Sequence, residues 1–217
     1  ADGIARTHDY VLGAGWSHLA IRTRLVNDTP AARTVDTRPR VEGLAGETTV
    51  GEITVARSQD PWDAYAYAWA PAPADMAPGT EPPRADRELA PGAEVAVEVW
   101  VAAGRSAAEA VGILRRAREP DRAWALVAAR ALGPGGDGVP RVELAVAGEG
   151  VLLPGWTLAD GSLPPFAWPA GLPCAIAART LGREAGRAEI TPLAAAGAGE
   201  LTNVTLALGP PCGLALT

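Results

Sequence analysis

The sequence predicts an all-β fold: a larger antiparallel β-sandwich with one amphipathic helix, followed by a second, smaller sandwich. Three observations carry this. Apolar and polar residues alternate in short runs, the period at which side chains pass from one face of a strand to the other. Turn residues separate the runs, and 25 glycines with 20 prolines make up about a fifth of the 217 residues. A single stretch combines helical spacing with a start and a stop signal.

In chain order, residues 17–27 give the first strand. Leu19, Ile21, Thr23 and Leu25 share one face, Arg22 and Arg24 the other, as in a half-buried strand. Asn27, Asp28, Thr29 and Pro30 supply turn chemistry. Residues 50–56 and 63–70 read as further strands, and 71–87 as a proline-rich loop. Residues 94–101 alternate most cleanly, with Val95, Val97, Val99 and Val101 on one face. Ser106 with Glu109 three residues on is a capping box, which predicts a helix over 106–118. Ala110, Val111, Leu114 and Ala117 form its apolar stripe. Arg115, Arg116 and Arg118 turn outward near the C-terminal end, where the helix dipole favours cations. Glu119 and Pro120 end the helix, and 124–132 fits a strand or a short helix. The first domain is thus expected over 1–132, a glycine-rich linker over 133–138 and the small sandwich over 139–209. Residues 210–217 read as the start of a further, truncated unit.

Composition excludes some partners. A net charge of −6 argues against nucleic acid, and no apolar run reaches the length of a membrane-spanning helix. All 19 basic residues are arginine, a bias that reads as coding composition rather than as function. Cys174 and Cys212 suit either a disulfide in an oxidising compartment or two buried thiols.

Residues 139–208 resemble the carboxypeptidase-regulatory-like (transthyretin-like) modules of secreted bacterial proteins. The resemblance rests on Val142-x-Leu144-x-Val146, on Asp160-Gly161 ahead of Phe166 and on Pro169-x-Gly171 before a strand ending at Ala178. Gly182-Arg183 and the finish Asn203-Val-Thr-Leu-x-Leu208 complete it. The first block resembles the N-terminal β-sandwich of CehA/McbA-type metallohydrolases, or a galactose-mutarotase-like super-sandwich. Here the carriers are Leu19-x-Ile21-x-Thr23-x-Leu25-x-Asn27, Leu89-Ala-Pro-Gly92, Ser106-Ala-Ala-Glu-Ala110 and Arg115-Arg-Ala-Arg-Glu-Pro120. The resemblance implies an accessory segment whose catalytic domain, if any, lies outside 1–217.

Catalytic signals are sparse. A metal centre needs three or more converging ligands, and His8, Asp9 and His18 fit packed or solvated side chains better. Asp60 and Asp63 flank Trp62 in the manner of a glycosidase pair, but acids beside Pro61 suit an exposed turn. Asp160 belongs to an Asp-Gly turn. Ser17, Ser58, Ser106 and Ser162 lack the glycine-flanked elbow of a serine nucleophile. Glycines 13, 15, 148 and 150 open no helix that could bind phosphate. The sequons at Asn27 and Asn203 read as chance, and no cofactor is implied.

The aromatic residues carry the binding expectation. Tyr65, Tyr67 and Trp69 alternate with alanines, so a strand places them on one face. That face either packs in the core or stacks on a flat ligand such as a sugar ring. Trp156 and Trp168 bracket the Asp160 turn, as a second platform or as a plug of the small sandwich. The expected protein is a non-catalytic accessory or binding segment of a secreted or periplasmic protein, with a saccharide as ligand. Its other expected partner is the rest of a longer polypeptide or a neighbouring subunit. The alternatives are the N-terminal region of a metal-dependent hydrolase and a structural cell-surface or filament subunit.

Overall fold

Along the chain the strands are β1 (Ile4–Val11), β2 (Leu19–Asn27), β3 (Arg33–Val35), β4 (Leu44–Val50) and β5 (Ile53–Ser58), then β6 (Ala66–Pro71), β7 (Arg87–Leu89) and β8 (Glu94–Gly104). Helix α1 (Ala107–Arg118) follows. After it come β9 (Trp124–Leu132), β10 (Glu143–Gly148), β11 (Val151–Trp156), β12 (Ser162–Pro169), β13 (Cys174–Arg179), β14 (Arg187–Ile190) and β15 (Leu201–Ala207). The computed structural model describes residues 3–39, 44–58, 65–179, 186–192 and 201–210. The fold is all-β and sandwich-like, with one helix.

Six antiparallel strands form the first sheet, in the order β1-β2-β8-β6-β5-β4. Its two faces differ as the alternation requires. The inner face carries Ala20, Val55, Ala66, Ala68, Ala70, Trp100 and Ala102, all buried. The outer face carries the valine row of β8, and the short ribbon β3–β7 covers one end of it by packing Val35 and Leu89 on Leu25, Val95 and Val97. Asn27 anchors this end. It is fully buried, and its Nδ2 donates to the carbonyls of Ala31, Leu89 and Ala90. Its side chain is therefore committed to the fold and closed to glycosylation in the native state.

The strand expected over 50–56 is instead a hairpin: β4 ends at Val50, and β5 starts at Ile53 and pairs back on it. Gly51 at the turn has a φ of 60°, a value that favours glycine. The cap on α1 forms as expected, with Ser106 Oγ accepting from Glu109 N–H at 3.1 Å.

Helix α1 lies between layers, which the stripe alone did not predict. Its small residues close on the alanine-lined inner face of the first sheet, while its other side meets β12 and β11. Gly112 makes the second contact possible: a Cβ there would stand 2.8 Å from the Ala167 carbonyl oxygen and 2.9 Å from its nitrogen. Two of the three arginines expected to point outward are consequently tucked in. The Arg115 side chain, 13 % exposed, pairs with Glu149 at 2.7 Å. Arg118, 15 % exposed, bonds Glu52 and the Pro71 carbonyl. Arg116 alone of the three is exposed.

The C-terminal part contains a four-stranded sheet, β11-β10-β13-β14, and a three-stranded sheet, β12-β9-β15. Leu144, Val146 and Ile176 from the first meet Val127, Phe166 and Leu206 from the second in one core. The expected boundary at 133–138 takes a different form. Residues 124–132, placed with the first domain, form the middle strand of the three-stranded sheet, between β12 and β15. The glycine-rich segment is a tight turn that returns to β9, with Val139 N–H donating to the Ala131 carbonyl at 2.9 Å. Gly138 presses so closely on the Asp160 backbone that a Cβ has no room. One continuous core runs from Ala20 to Leu208 across the expected boundary. Residues 211–217, where a further unit was expected, lie outside the described residues.

Candidate binding groove

Strand register assigns the aromatic run to a face. Ala66, Ala68 and Ala70 turn inward and are 1 % exposed or less, so the alanines make the core contact under α1. The alternate positions face outward. Tyr65 is 47 % and Tyr67 37 % exposed, whereas Trp69 is 5 % exposed and packs against Ala56 and Val99. The core alternative for this face therefore applies to Trp69 and not to the two tyrosines.

Cross-strand pairing extends this face into rows. Trp69 lies opposite Val101, and Val101 opposite Leu19. In the next row Val99 lies opposite Ile21, and Ile21 opposite Tyr10. The row after that joins Val97, Thr23 and His8. Tyr67 stands one row beyond Trp69, about 7 Å along the strand. Together with residues 36–39, which follow β3, the rows from Trp69 to His8 bound a groove of about 460 Å³, with Tyr67 outside its lining, within the range of small-molecule sites.

The groove is apolar along its floor and polar at its rim. Trp69, Val99, Val101 and Ile21 provide the floor. On the β1 side, His8 Nδ1 lies 3.0 Å from Thr23 Oγ1, which leaves Nε2 as the ring's second polar atom, and the His8 and Tyr10 ring centroids are 6.4 Å apart. Opposite them Arg38 forms a two-point pair with Asp36, at 3.0 and 2.9 Å. Such a pair holds a guanidinium plane in fixed orientation. Tyr10 is 66 % exposed, so its ring face is available to a ligand. A flat, partly apolar molecule bearing hydroxyl groups matches this surface: rings contact its faces and rim groups bond its edges.

The sequence alone marks Trp69 but not Tyr10 or His8, because β1 has no burial pattern to reveal it. The signal it does carry is the spacing of His8 and Tyr10, two residues apart as on one face of a strand.

The other expected site residues lie elsewhere. Trp168 is 1 % exposed, edge-on to Phe166 at 6.5 Å, and its Nε1 donates to the Leu172 carbonyl. It is a core residue and cannot serve as a platform. Trp156 is half-buried on β11, opposite Glu143, and makes no pair with Trp168. His8, Asp9 and His18 do not converge: His8 lies on the outer face, whereas His18 is buried against Trp100 on the inner one. Asp160 closes its turn by accepting from Ser162 N–H and Oγ at 3.0 and 2.6 Å, which holds its carboxyl below the usual range. Asp60, Trp62 and Asp63 lie outside the described residues. Among the described residues, no helix is long and apolar enough to cross a membrane.

Cys174 carries a free thiol, 3 % exposed; Cys212 lies outside the described residues. Burial pushes the Cys174 thiol up to about 11, so little thiolate is present at neutral pH. With Cys212 replaced by serine, alkylation at pH 8 is expected to run roughly 100-fold slower in the native protein than in denaturant. Mass spectrometry of timed aliquots measures both rates.

No family model matches the chain, and no curated protein matches it. Among solved structures, a polysaccharide lyase aligns over 90 % of this chain and 35 % of its own, at 11 % identity and a TM-score of 0.32. The Bacillus anthracis TIE protein aligns over 96 % of this chain and 41 % of its own, at 9 % identity and a TM-score of 0.31. The chain thus spans less than half the length of either, and likeness at this level identifies neither a fold family nor a function.

Proposed function

We propose that this chain is a non-catalytic binding segment that holds a saccharide in the outer groove of its six-stranded sheet. It acts as an accessory part of a larger exported protein, with 139–208, completed by β9, as its transthyretin-like module. The observation that carries the reading is the exposed Tyr10 beside a groove of about 460 Å³ floored by Trp69, with the exposed Tyr67 one row beyond its lining. Rigid aromatic rings give contact area at small entropic cost, and the Thr23, His8 and Arg38 rim supplies a few polar groups that orient a ligand.

The test is binding of an oligosaccharide panel by array and then by calorimetry, with Tyr67→Ala and Tyr10→Ala alongside the parent. Both side chains are exposed, so melting temperature is expected to hold within a degree or two. Each substitution is expected to weaken binding about 10-fold, or about 1.4 kcal/mol. If no saccharide binds, or if both variants bind as the parent does, the reading fails.

A further inference from the structure

We infer that His18 is an acid-operated clasp on the turn between β1 and β2: the neutral ring holds Trp16 down, and the protonated ring leaves its slot and releases it. This inference rests on the inner face of the sheet and is independent of the groove.

His18 is 7 % exposed and lies between two indoles. Trp16 stacks on one side at 4.8 Å with planes 12° apart, and Trp100 lies on the other at 4.3 Å. Both ring nitrogens are buried without a hydrogen-bond partner. The turn is built around this stack. Trp16 N–H donates to the Gly13 carbonyl at 3.0 Å, and a Cβ on Gly13 would stand 2.5 Å from the Trp16 ring. Trp16 is itself 44 % exposed, so it can swing into solvent without opening the core.

Of the charged groups around His18, Glu98 is already engaged. On β8, Glu98 Oε1 accepts from Trp100 Nε1 at 3.0 Å, and Oε2 is held by Arg22 of β2 at 2.9 Å. On β1, Asp9 lies opposite Arg22. The turn residues 12–17 contribute no titratable side chain. Protonation would therefore place two charged N–H groups in a slot without an acceptor. An unsatisfied charged donor costs more than a neutral one. Cation–π attraction to the two indoles returns part of this, and Glu98 attracts the cation as well. Burial outweighs these and lowers the ring's affinity for a proton.

The sign for stability follows. The unfolded chain binds this proton more readily than the folded chain does, so stability is full above the ordinary histidine value of about 6.5 and falls as pH drops through it. The experiment uses the full chain bearing His8→Gln, which leaves His18 as the one histidine. NMR of its ring is followed from pH 8 to 4, together with tryptophan emission and the urea midpoint. The expected result is a titration midpoint below 6.5, with a red shift of emission tracking the same curve. In His18→Phe, which keeps a ring in the slot, the emission change and the associated loss of urea resistance are expected to vanish. Trp16→Ala, which removes the cover, is expected to move the midpoint back up. A midpoint at or above the ordinary value overturns the clasp, as does an acid transition that persists unchanged in His18→Phe.

Discussion

Replacing Trp168 with alanine is expected to destabilise the fold by about 3–5 kcal/mol. The ring is 1 % exposed and sits in the core shared by the two C-terminal sheets. Its neighbours cannot collapse into the vacated space easily. Phe166 meets it edge-on, and Gly148 packs so closely that a Cβ there would be 2.5 Å from the indole. The Arg115 guanidinium stands 5.9 Å from the ring centroid while it pairs with Glu149. Truncation also takes away the donor to the Leu172 carbonyl at 3.2 Å. Domains hold about 5–15 kcal/mol in total, so a large share of the stability goes. Urea unfolding monitored by circular dichroism gives the difference. A loss below about 1 kcal/mol would contradict this placement of Trp168. Any ligand binding in the outer groove is expected to be unchanged per folded molecule, because Trp168 lies outside that groove.

Leu114→Ala is expected to cost about 2–5 kcal/mol, and to do so for the whole chain at once. Leu114 is fully buried on α1, which touches β5, β6 and β8 on one side and β11 and β12 on the other. A helix shared by two layers cannot loosen from one and keep the other intact. Unfolding of this variant should therefore remain a single transition, with the Trp100 and Trp168 environments lost together; indole NMR signals through a urea series resolve the two. Arg116→Ala, on the exposed side of the same helix, is expected to stay within about 0.5 kcal/mol of the parent. Two separated transitions would instead favour the independent domains that the sequence suggests.

Much of the architecture is legible in the residues because burial imprints a period. In β2 and β8 the alternation sorts the residues into the two faces, but the valine row it marks lies on the outer face, and Glu98, Trp100 and Ala102 on the other face of β8 are buried as well; Ser106 and Glu109 mark the helix start. β1 leaves no such imprint. It is an edge strand with every residue after Ile4 exposed, so its apolar content is unconstrained. That also hid half of the groove, since Tyr10 and His8 belong to β1. The role of 133–138 was illegible for another reason. Glycines mark a linker and a close backbone approach alike, and the difference at Gly138 lies in Asp160, distant along the chain. Arg115 and Arg118 sit where the helix dipole favours cations, but their pairing with Glu149 and Glu52 depends on hairpins that sequence spacing does not locate.

The parallel pairing of β9 with β15 has a consequence for how the chain must fold. Trp124–Leu132 pairs with Ser162–Pro169 on one edge, but its other edge finds a partner only in Leu201–Ala207, about 70 residues downstream. During synthesis the first sheet and α1 emerge early, while β11 and β12, which cover the other side of the helix, emerge later. Until then Gly112, which packs against Ala167 of β12, faces solvent, and β9 has an unpaired edge open to any passing strand. Closure requires a long loop to be ordered before its contacts are made, which places the final step among slow, high-contact-order events. Folding yield in a cell should therefore depend on how quickly β15 arrives, and chains stalled before it are the ones exposed to aggregation.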